Sequence, residues 1–156
     1  MDNVGTVPIQ PLLVAAVAFV AMEPITAGVH RWVMHGMGIR LHRSHHRARS
    51  RPGWEDNDWF PVVFASVVLA VFWLGFNGPG LAPLVPVAIG VTAYGAAYAL
   101  VHDVYIHRRL PLFGSQRIAP LEYLADAHRV HHRTGGAPYG MLVPMMPRMS
   151  RVKVHR

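Results

Sequence analysis

The sequence contains no cysteine, and this absence excludes several kinds of site at once. Without thiols the chain forms no disulfides, and it has no ligand for a thiolate-bound haem, a cysteine-held iron–sulfur cluster or a cysteine zinc site. It also lacks the glycine fingerprint of a dinucleotide-binding fold. Any metal must therefore be held by nitrogen or oxygen, and any electrons that the protein consumes must come from a partner.

Charged residues are scarce, at 15% of the 156 residues, whereas 52% are hydrophobic. Three apolar stretches, Pro8–Val29, Trp59–Phe76 and Leu81–Val101, reach the ~18 to 20 residues that cross a hydrocarbon core as a helix. The sequence thus predicts an all-α integral membrane protein with three transmembrane helices in a single domain, residues 1–156. The short apolar run Met141–Met146 leaves a fourth, re-entrant helix open as an alternative.

The distribution of charge predicts how the chain is oriented. All fifteen Lys and Arg residues lie in Arg31–Arg51 or Arg108–Arg156, and short cytoplasmic loops accumulate such residues. We therefore expect a multi-pass protein of the cell membrane with its N-terminus outside and a histidine-rich helical cap on the cytoplasmic face. The tight turn signal Asn77–Gly80 predicts that the second and third spans form an antiparallel hairpin. A basic surface facing membrane lipids explains the net charge of +7, so no nucleic-acid partner is expected.

Ten of the eleven histidines fall into four short boxes of two alternating patterns. HxxxxH occurs at His30–His35 and His102–His107, HxxHH occurs at His42–His46 and His128–His132, and His155 lies outside the boxes. On a helix, HxxHH is expected to present three imidazoles in one direction. HxxxxH places its two rings ~140° apart on an ideal helix. Either the helix is locally widened, as in a π-bulge, or the two histidines bind different metals.

This concentration of imidazoles predicts a metal site. Ten such rings at one membrane surface would repel one another once protonated and would gain little from apolar packing. They exceed what one four- to six-coordinate ion can use, so we expect two ions. Nitrogen donors suit iron, copper, zinc and nickel alike, so the ligand type leaves the metal open. The candidate ligands are His30, His35, His42, His45, His46, His102, His107, His128, His131 and His132.

Four acidic residues are candidates to support these ligands. Asp103 and Asp126 lie next to box histidines and Asp58 lies at the start of the second span, so each is a candidate to orient a ring N–H. An ordinary solvated acid explains Asp126 equally well. Glu23 lies inside an apolar span, two helical turns before His30, where it is expected to line the floor of the metal site. No catalytic residue is expected beyond the metal centre and these acids.

The sequence around the boxes resembles a known family. Four boxes in this order resemble the integral membrane fatty acid hydroxylase superfamily, which includes sterol desaturase-like di-iron proteins, and the local sequence is similar to that of bacterial β-carotene hydroxylases. The stretches that carry the resemblance are Met22-Glu23, His30–Gly36, Leu41–His46, Asn57-Asp58, Val101–Asp103, His107–Arg109, Ala127–His132 and Gly136–Gly140.

The resemblance implies a non-haem di-iron monooxygenase that hydroxylates C3 of β-ionone rings, converting β-carotene through β-cryptoxanthin to zeaxanthin. It implies two Fe²⁺ ions held by the ten box histidines, O₂ as co-substrate, a carotenoid taken from the bilayer, and an external electron donor such as a reduced ferredoxin. Two alternatives stay open: a hydroxylase or desaturase of a fatty acyl or sterol lipid, and a non-enzymatic haem- or metal-binding membrane protein. The oligomeric state also stays open.

Overall fold

The structure is a computed structural model that describes residues 9–47 and 53–144. Its regular elements in these residues are all helical, which confirms the predicted all-α class. The α-helices are α1 (Ile9–Gly28), α2 (Ile39–His42), α3 (Trp59–Asn77), α4 (Leu84–Ala99) and α5 (Ala119–Thr134). Two π-helical segments, π1 (Val29–Met37) and π2 (Leu100–Ile106), follow α1 and α4, and short 3-10 helices cover Asp56–Asp58 and Pro111–Phe113.

Three helical stretches are long and apolar enough to cross a membrane, namely Ile9–Met37, Asp56–Asn77 and Leu84–Ile106. This confirms the predicted three spans. Of the alternative fourth helix, Met141–Met146, the first four residues form irregular backbone and the last two lie outside the described residues. The first and third helical stretches run further than predicted. Hydropathy falls at the histidine boxes, whereas backbone hydrogen bonding continues past them.

Large apolar side chains are exposed on these helices. Val17, Leu69 and Trp73 are 68%, 67% and 64% exposed. Exposed apolar surface on this scale needs an apolar solvent, and a bilayer supplies one while the helical backbone satisfies its own polar groups. The chain is therefore a membrane protein.

The chain divides into two compact units. Among the described residues, the first unit contains residues 9–22 and 58–97, and the second contains residues 23–47, 53–57 and 98–144. Apolar helix packing dominates the first unit. All ten box histidines belong to the second.

Within the first unit, the predicted hairpin turn connects α3 to α4. The Gly78 N–H donates to the Leu74 carbonyl at 2.7 Å, and Gly80 adopts a φ of 74°, a conformation that favours glycine. A Cβ added to Gly75 would lie 2.9 Å from Cγ2 of Val85. The end of α3 therefore packs closely against the start of α4, as expected for a hairpin.

Glycine also allows α1 and α4 to approach closely within this unit. A Cβ added to Gly90 would overlap the carbonyl oxygen of Ala15 and would lie 2.9 Å from Cβ of Ala18. Four residues along α4, the ring of Tyr94 makes an edge-on contact with Phe19 at a centroid distance of 5.7 Å. Small residues at such contacts let membrane helices pack backbone to backbone.

We expect Gly90→Ala to destabilise the protein by about 1–3 kcal/mol, because the added methyl group meets rigid backbone. Gly95→Ala is the matched control. Its Cβ would meet only the ring edge of Phe64, at 3.3 Å, which can move, so stability should stay unchanged or rise by up to about 1 kcal/mol. Thermal unfolding in detergent measures both variants. Equal stability of the two would contradict the close approach at Gly90.

Candidate metal centre

The first HxxxxH box lies on π1, where the helix is widened. Hydrogen bonds in a π-helix join residues five apart, so histidines at that spacing share a face. The Gly38 N–H donates to the Val33 carbonyl in this way, at 2.7 Å. The ring centroids of His30 and His35 lie 5.1 Å apart. Local widening, one of the two arrangements that the sequence left open, is therefore confirmed.

The third span repeats this arrangement on π2. The His107 N–H donates to the carbonyl of His102 at 2.9 Å, which is again a bond between residues five apart. The two ring centroids lie 4.6 Å apart. Both HxxxxH boxes are thus paired by the same widening of the backbone.

The two HxxHH boxes differ in their local structure. In the first, His42 ends α2, and His45 and His46 lie in the turns that follow. The second lies wholly within α5, which is terminated by Gly135 in the left-handed conformation.

The expectation that each HxxHH box presents its three rings in one direction is wrong. On a helix, positions i+3 and i+4 are separated by about 100°, so they lie on either side of position i. In the first box, His46 accompanies His42 and His45 points to a different group of rings. In the second, His128 and His131 also belong to different groups.

The histidines form two clusters, in each of which one nitrogen from every ring lies within 4.8 Å of the others. The five-histidine cluster consists of His30, His35, His42, His46 and His131, and the four-histidine cluster consists of His45, His102, His107 and His128. The tenth ring, His132, contacts both. Its Nε2 lies 3.2 Å from Nε2 of His45, and the ring stacks on that of His46 at a centroid distance of 4.4 Å.

The Nε2 atoms of the rings face one another inside the clusters. Two nitrogen donors at right angles around an ion at ~2.1 Å are about 3.0 Å apart, and two tetrahedral donors are about 3.4 Å apart. Five of the Nε2 pairs have separations close to the right-angle value. They are 3.1 Å for His30–His42, His42–His46 and His35–His131, and 3.0 Å for His45–His102 and His107–His128.

The outward nitrogens, Nδ1, contact oxygen atoms in five rings, those of His30, His42, His131, His102 and His45. In the five-histidine cluster all these oxygens are neutral: His30 donates to the Tyr139 carbonyl at 3.0 Å, His42 to Oδ1 of Asn57 at 2.7 Å, and His131 to the Gly136 carbonyl at 2.6 Å. In the four-histidine cluster the oxygens belong to carboxylates. His102 donates to Oδ1 of Asp103 at 3.0 Å, and Nδ1 of His45 lies 3.8 Å from Oε1 of Glu55.

These contacts assign the tautomers and test the fit of a metal. Because Nδ1 of both His30 and His42 donates a proton to oxygen, each Nε2 of the neutral rings carries a lone pair and no proton. Two lone pairs 3.1 Å apart repel each other unless a cation lies between them. The donor set therefore fits metal ions that bind imidazole nitrogen.

Burial keeps the rings of His42, His131, His132, His45 and His128 neutral. It lowers the pKa of His42 and His131 to about 4 and that of His132 to about 3, and the neighbouring histidines lower each pKa further. Burial and the surrounding rings also hold the pKa of His45 and His128 far below that of a free imidazole. Neutral imidazole is the form that binds metals.

The four predicted acids lie in different surroundings. Asp103 contacts His102, the ring it was expected to orient. Asp126 is 66% exposed and pairs with Arg129, as an ordinary solvated acid would. Asp58 is buried at the end of a 3-10 helix.

The fourth predicted acid, Glu23, accepts hydrogen bonds from the backbone N–H groups of three consecutive residues, Met141, Leu142 and Val143. No local sequence pattern indicates these partners, which lie more than a hundred residues further along the chain.

Sequence reasoning also missed the oxygens around the five-histidine cluster. Two are backbone carbonyls, at Gly136 and Tyr139, which no side-chain pattern reveals. The third belongs to Asn57, which is 7% exposed. The available signal for Asn57 was its place in the polar run Glu55–Asp58, directly before an apolar span.

Arg109 holds the carboxylates behind the four-histidine cluster. Its Nη1 lies 3.6 Å from Oδ1 of Asp103 and 3.7 Å from Oε1 of Glu55. Its Nη2 donates to the Gly53 carbonyl at 3.3 Å. One guanidinium thus connects both acids that face Nδ1 atoms of this cluster.

The sequence of this chain matches a known protein family and several named proteins. The sequence profile of the family described as Fatty acid hydroxylase matches residues 15–151.

Beta-carotene hydroxylase of Pseudescherichia vulneris is 40% identical over 139 residues, which cover 86% of this chain and 77% of that protein. Beta-carotene hydroxylase of Pantoea ananas is 40% identical over 124 residues, or 80% and 69% of the two chains. Beta-carotene 3-hydroxylase 1, chloroplastic, of Arabidopsis thaliana is 35% identical over 130 residues, or 81% of this chain and 42% of that protein. No solved structure matches the chain significantly. Because the profile covers most of the sequence and the bacterial relatives align along most of their length, this chain belongs to the fatty acid hydroxylase family.

Proposed function

We propose that this oxygenase hydroxylates C3 of β-ionone rings and converts β-carotene through β-cryptoxanthin to zeaxanthin. Bacterial relatives named beta-carotene hydroxylase, 40% identical over most of both chains, support this substrate. The observation that carries the proposal is the pair of histidine clusters with facing Nε2 atoms. Oxygen insertion into an unactivated C–H bond needs an oxidant that no side chain provides.

In this proposal the ten box histidines hold two ferrous ions, one in each cluster, with His132 at their boundary. When bound, the ions supply the activation of O₂. The chain's own part is to hold the Nε2 lone pairs in place, and the Nδ1 acceptors of His30, His42, His131 and His102 do this by fixing ring orientation and tautomer. Asp103 has this role for His102. Asp58 and Asp126 stay candidates for supporting roles.

The reaction places one atom of O₂ into the C3–H bond, and the other atom leaves as water after uptake of two electrons and two protons. The chain has no cysteine and no dinucleotide fingerprint, so we assign the electrons to a ferredoxin-like donor. The arginine-rich segments would attract an acidic protein of this kind as well as anionic lipids.

We place the protein in the cell membrane as a single domain over residues 1–156. The bias of Lys and Arg supports an outside N-terminus and clusters on the cytoplasmic face. A carotenoid dissolves in the hydrocarbon core, so three apolar spans favour its uptake from the bilayer.

Expression in a β-carotene-accumulating bacterium tests the substrate. We expect β-carotene to decrease while β-cryptoxanthin and zeaxanthin appear, as measured by chromatography of pigment extracts. The matched control is the chain with both His45→Ala and His131→Ala, which loses one ring from each cluster. Unchanged pigment with newly hydroxylated fatty acids or sterols would instead support the lipid hydroxylase alternative. A haem spectrum without oxygen-dependent turnover would support a binding protein.

Iron analysis of the purified protein tests the two ions. We expect about two ions per wild-type chain and about one in each of His45→Ala and His131→Ala, because these residues belong to different clusters. Hydroxylation should be abolished in both variants. His155→Ala, outside the boxes, should keep both ions. A wild-type chain with a single ion, or variants that keep two, would contradict the assignment.

The lowered pKa values predict that acid destabilises the metal-free protein. An unfolded histidine titrates at about pH 6.5, whereas His42 and His131 of the folded chain titrate at about 4. Between these values the unfolded state binds more protons, so the stability present above about pH 6.5 is lost as the pH falls toward 4. Melting temperatures from circular dichroism at about pH 7.5 and about pH 5 measure the loss.

A matched pair of variants checks the source of this loss. His42→Gln should show a shallower pH dependence because it removes one titrating ring. His155→Gln should follow the wild type. A melting temperature that does not change with pH would contradict the neutral, buried state of the rings.

A further inference from the structure

We propose that Glu23 is a positioning residue for the five-histidine cluster. Its carboxylate anchors the segment 136–143, and the backbone carbonyls of this segment hold the outward nitrogens of His30 and His131. The inference rests on the proposed metal-binding function and assigns a specific task to an acid that lies within an apolar span.

The contacts of Glu23 support an anchoring role. Oε1 accepts hydrogen bonds from the N–H groups of Met141, at 2.8 Å, and Val143, at 3.0 Å, and Oε2 accepts one from Leu142, at 3.1 Å. Three consecutive N–H groups of irregular backbone thus converge on one carboxylate. Hydrogen bonds to a carboxylate are stronger than those between neutral groups.

These hydrogen bonds satisfy both the carboxylate of Glu23 and the backbone N–H groups of residues 141–143. A carboxylate within a membrane span is costly and usually pairs with another polar group. Irregular backbone has no helical partners for its N–H groups, so these groups need acceptors elsewhere in the protein. Met141, the first of the three donors, is 3% exposed, and Val143, the third, is 68% exposed. The hydrogen bonds of Glu23 with Met141 and Leu142 are part-buried, whereas the one with Val143 lies at an exposed position, so the contact is best shielded from water at Met141.

The anchored segment reaches the metal ligands within a few residues. The Tyr139 carbonyl, two residues before Met141, accepts from Nδ1 of His30 at 3.0 Å. The ring of Tyr139 packs against those of His30 and His131 at centroid distances of 5.6 and 5.4 Å. The Gly136 carbonyl accepts from Nδ1 of His131 at 2.6 Å. A displaced segment would withdraw both acceptors.

The space around Gly140 is a second observation that supports the same contact. A Cβ added there would lie 2.5 Å from Oε1 of Glu23 and 3.3 Å from the Val143 carbonyl oxygen. Glycine at this position thus permits the close approach of the carboxylate. Gly140→Ala should weaken the anchor without altering the acid itself.

The four-histidine cluster offers an internal comparison. The outward nitrogens of two of its rings, His102 and His45, face Asp103 and Glu55, which lie outside segment 136–143. Loss of the anchor should therefore reduce metal affinity at the five-histidine cluster alone. Loss of a supporting contact of this kind typically weakens metal binding about 10- to 100-fold.

The experiment measures Co²⁺ binding by equilibrium dialysis of folded protein in two backgrounds. In His45→Ala we expect the remaining ion in the five-histidine cluster, and in His131→Ala in the four-histidine cluster, because each variant removes a ring from the other cluster. We expect Glu23→Gln to reduce affinity about 10- to 100-fold in the first background and to leave it unchanged in the second. The amide keeps one accepting oxygen but loses the other, so Glu23→Ala should have a larger effect. Gly140→Ala should show the same selectivity and serves as the test if the Glu23 variants do not fold.

Two results would overturn the inference: unchanged affinity in the first background, or equal losses in both, which would indicate a general structural role. The proposed function fails separately. If the wild type binds two ions and Glu23→Gln acts selectively but no hydroxylated carotenoid forms, the positioning role stands and the substrate is wrong. If carotenoid is hydroxylated and Glu23→Gln binds Co²⁺ normally, only the positioning role is wrong.

Discussion

Repulsion between imidazole lone pairs is the constraint on which the rest of the second unit depends. His30 and His42 turn unprotonated nitrogens toward each other at 3.1 Å, and both rings are almost completely buried. Burial removes the water that would otherwise separate such groups. The surrounding chain must therefore hold the rings from behind, which it does with oxygen acceptors on Nδ1 and with widened turns of helix.

The sequence predicts the membrane spans well because apolar composition is a local property. It predicts their ends less well, since π1 and π2 continue the helices through polar residues. The HxxxxH spacing narrowed the backbone to two possibilities, and only the structure distinguishes them. The HxxHH spacing led to a wrong prediction, namely that all three rings point in one direction. His128 and His131 share a broad helix face but belong to different clusters.

The supporting oxygens were hidden from the sequence for a different reason. The Gly136 carbonyl reaches His131 because the chain turns back at Gly135, whose N–H donates to the His131 carbonyl at 2.8 Å. Any residue has a carbonyl, so residue type carries no signal for this contact. Glu23 was conspicuous as an acid in an apolar span, but its partners lie more than a hundred residues further along the chain. Such long-range pairing follows from the fold and not from local pattern.

The second HxxHH box supplies both clusters from a single helix. His128 and His131 lie less than one turn apart on α5 and contribute to different clusters. The rise of α5, about 1.5 Å per residue, therefore fixes the spacing of one ligand from each cluster. Helix rise is determined by covalent geometry and hydrogen bonding, whereas helix tilt responds to bilayer thickness. The offset between His128 and His131 should thus stay constant in membranes of different lipid composition.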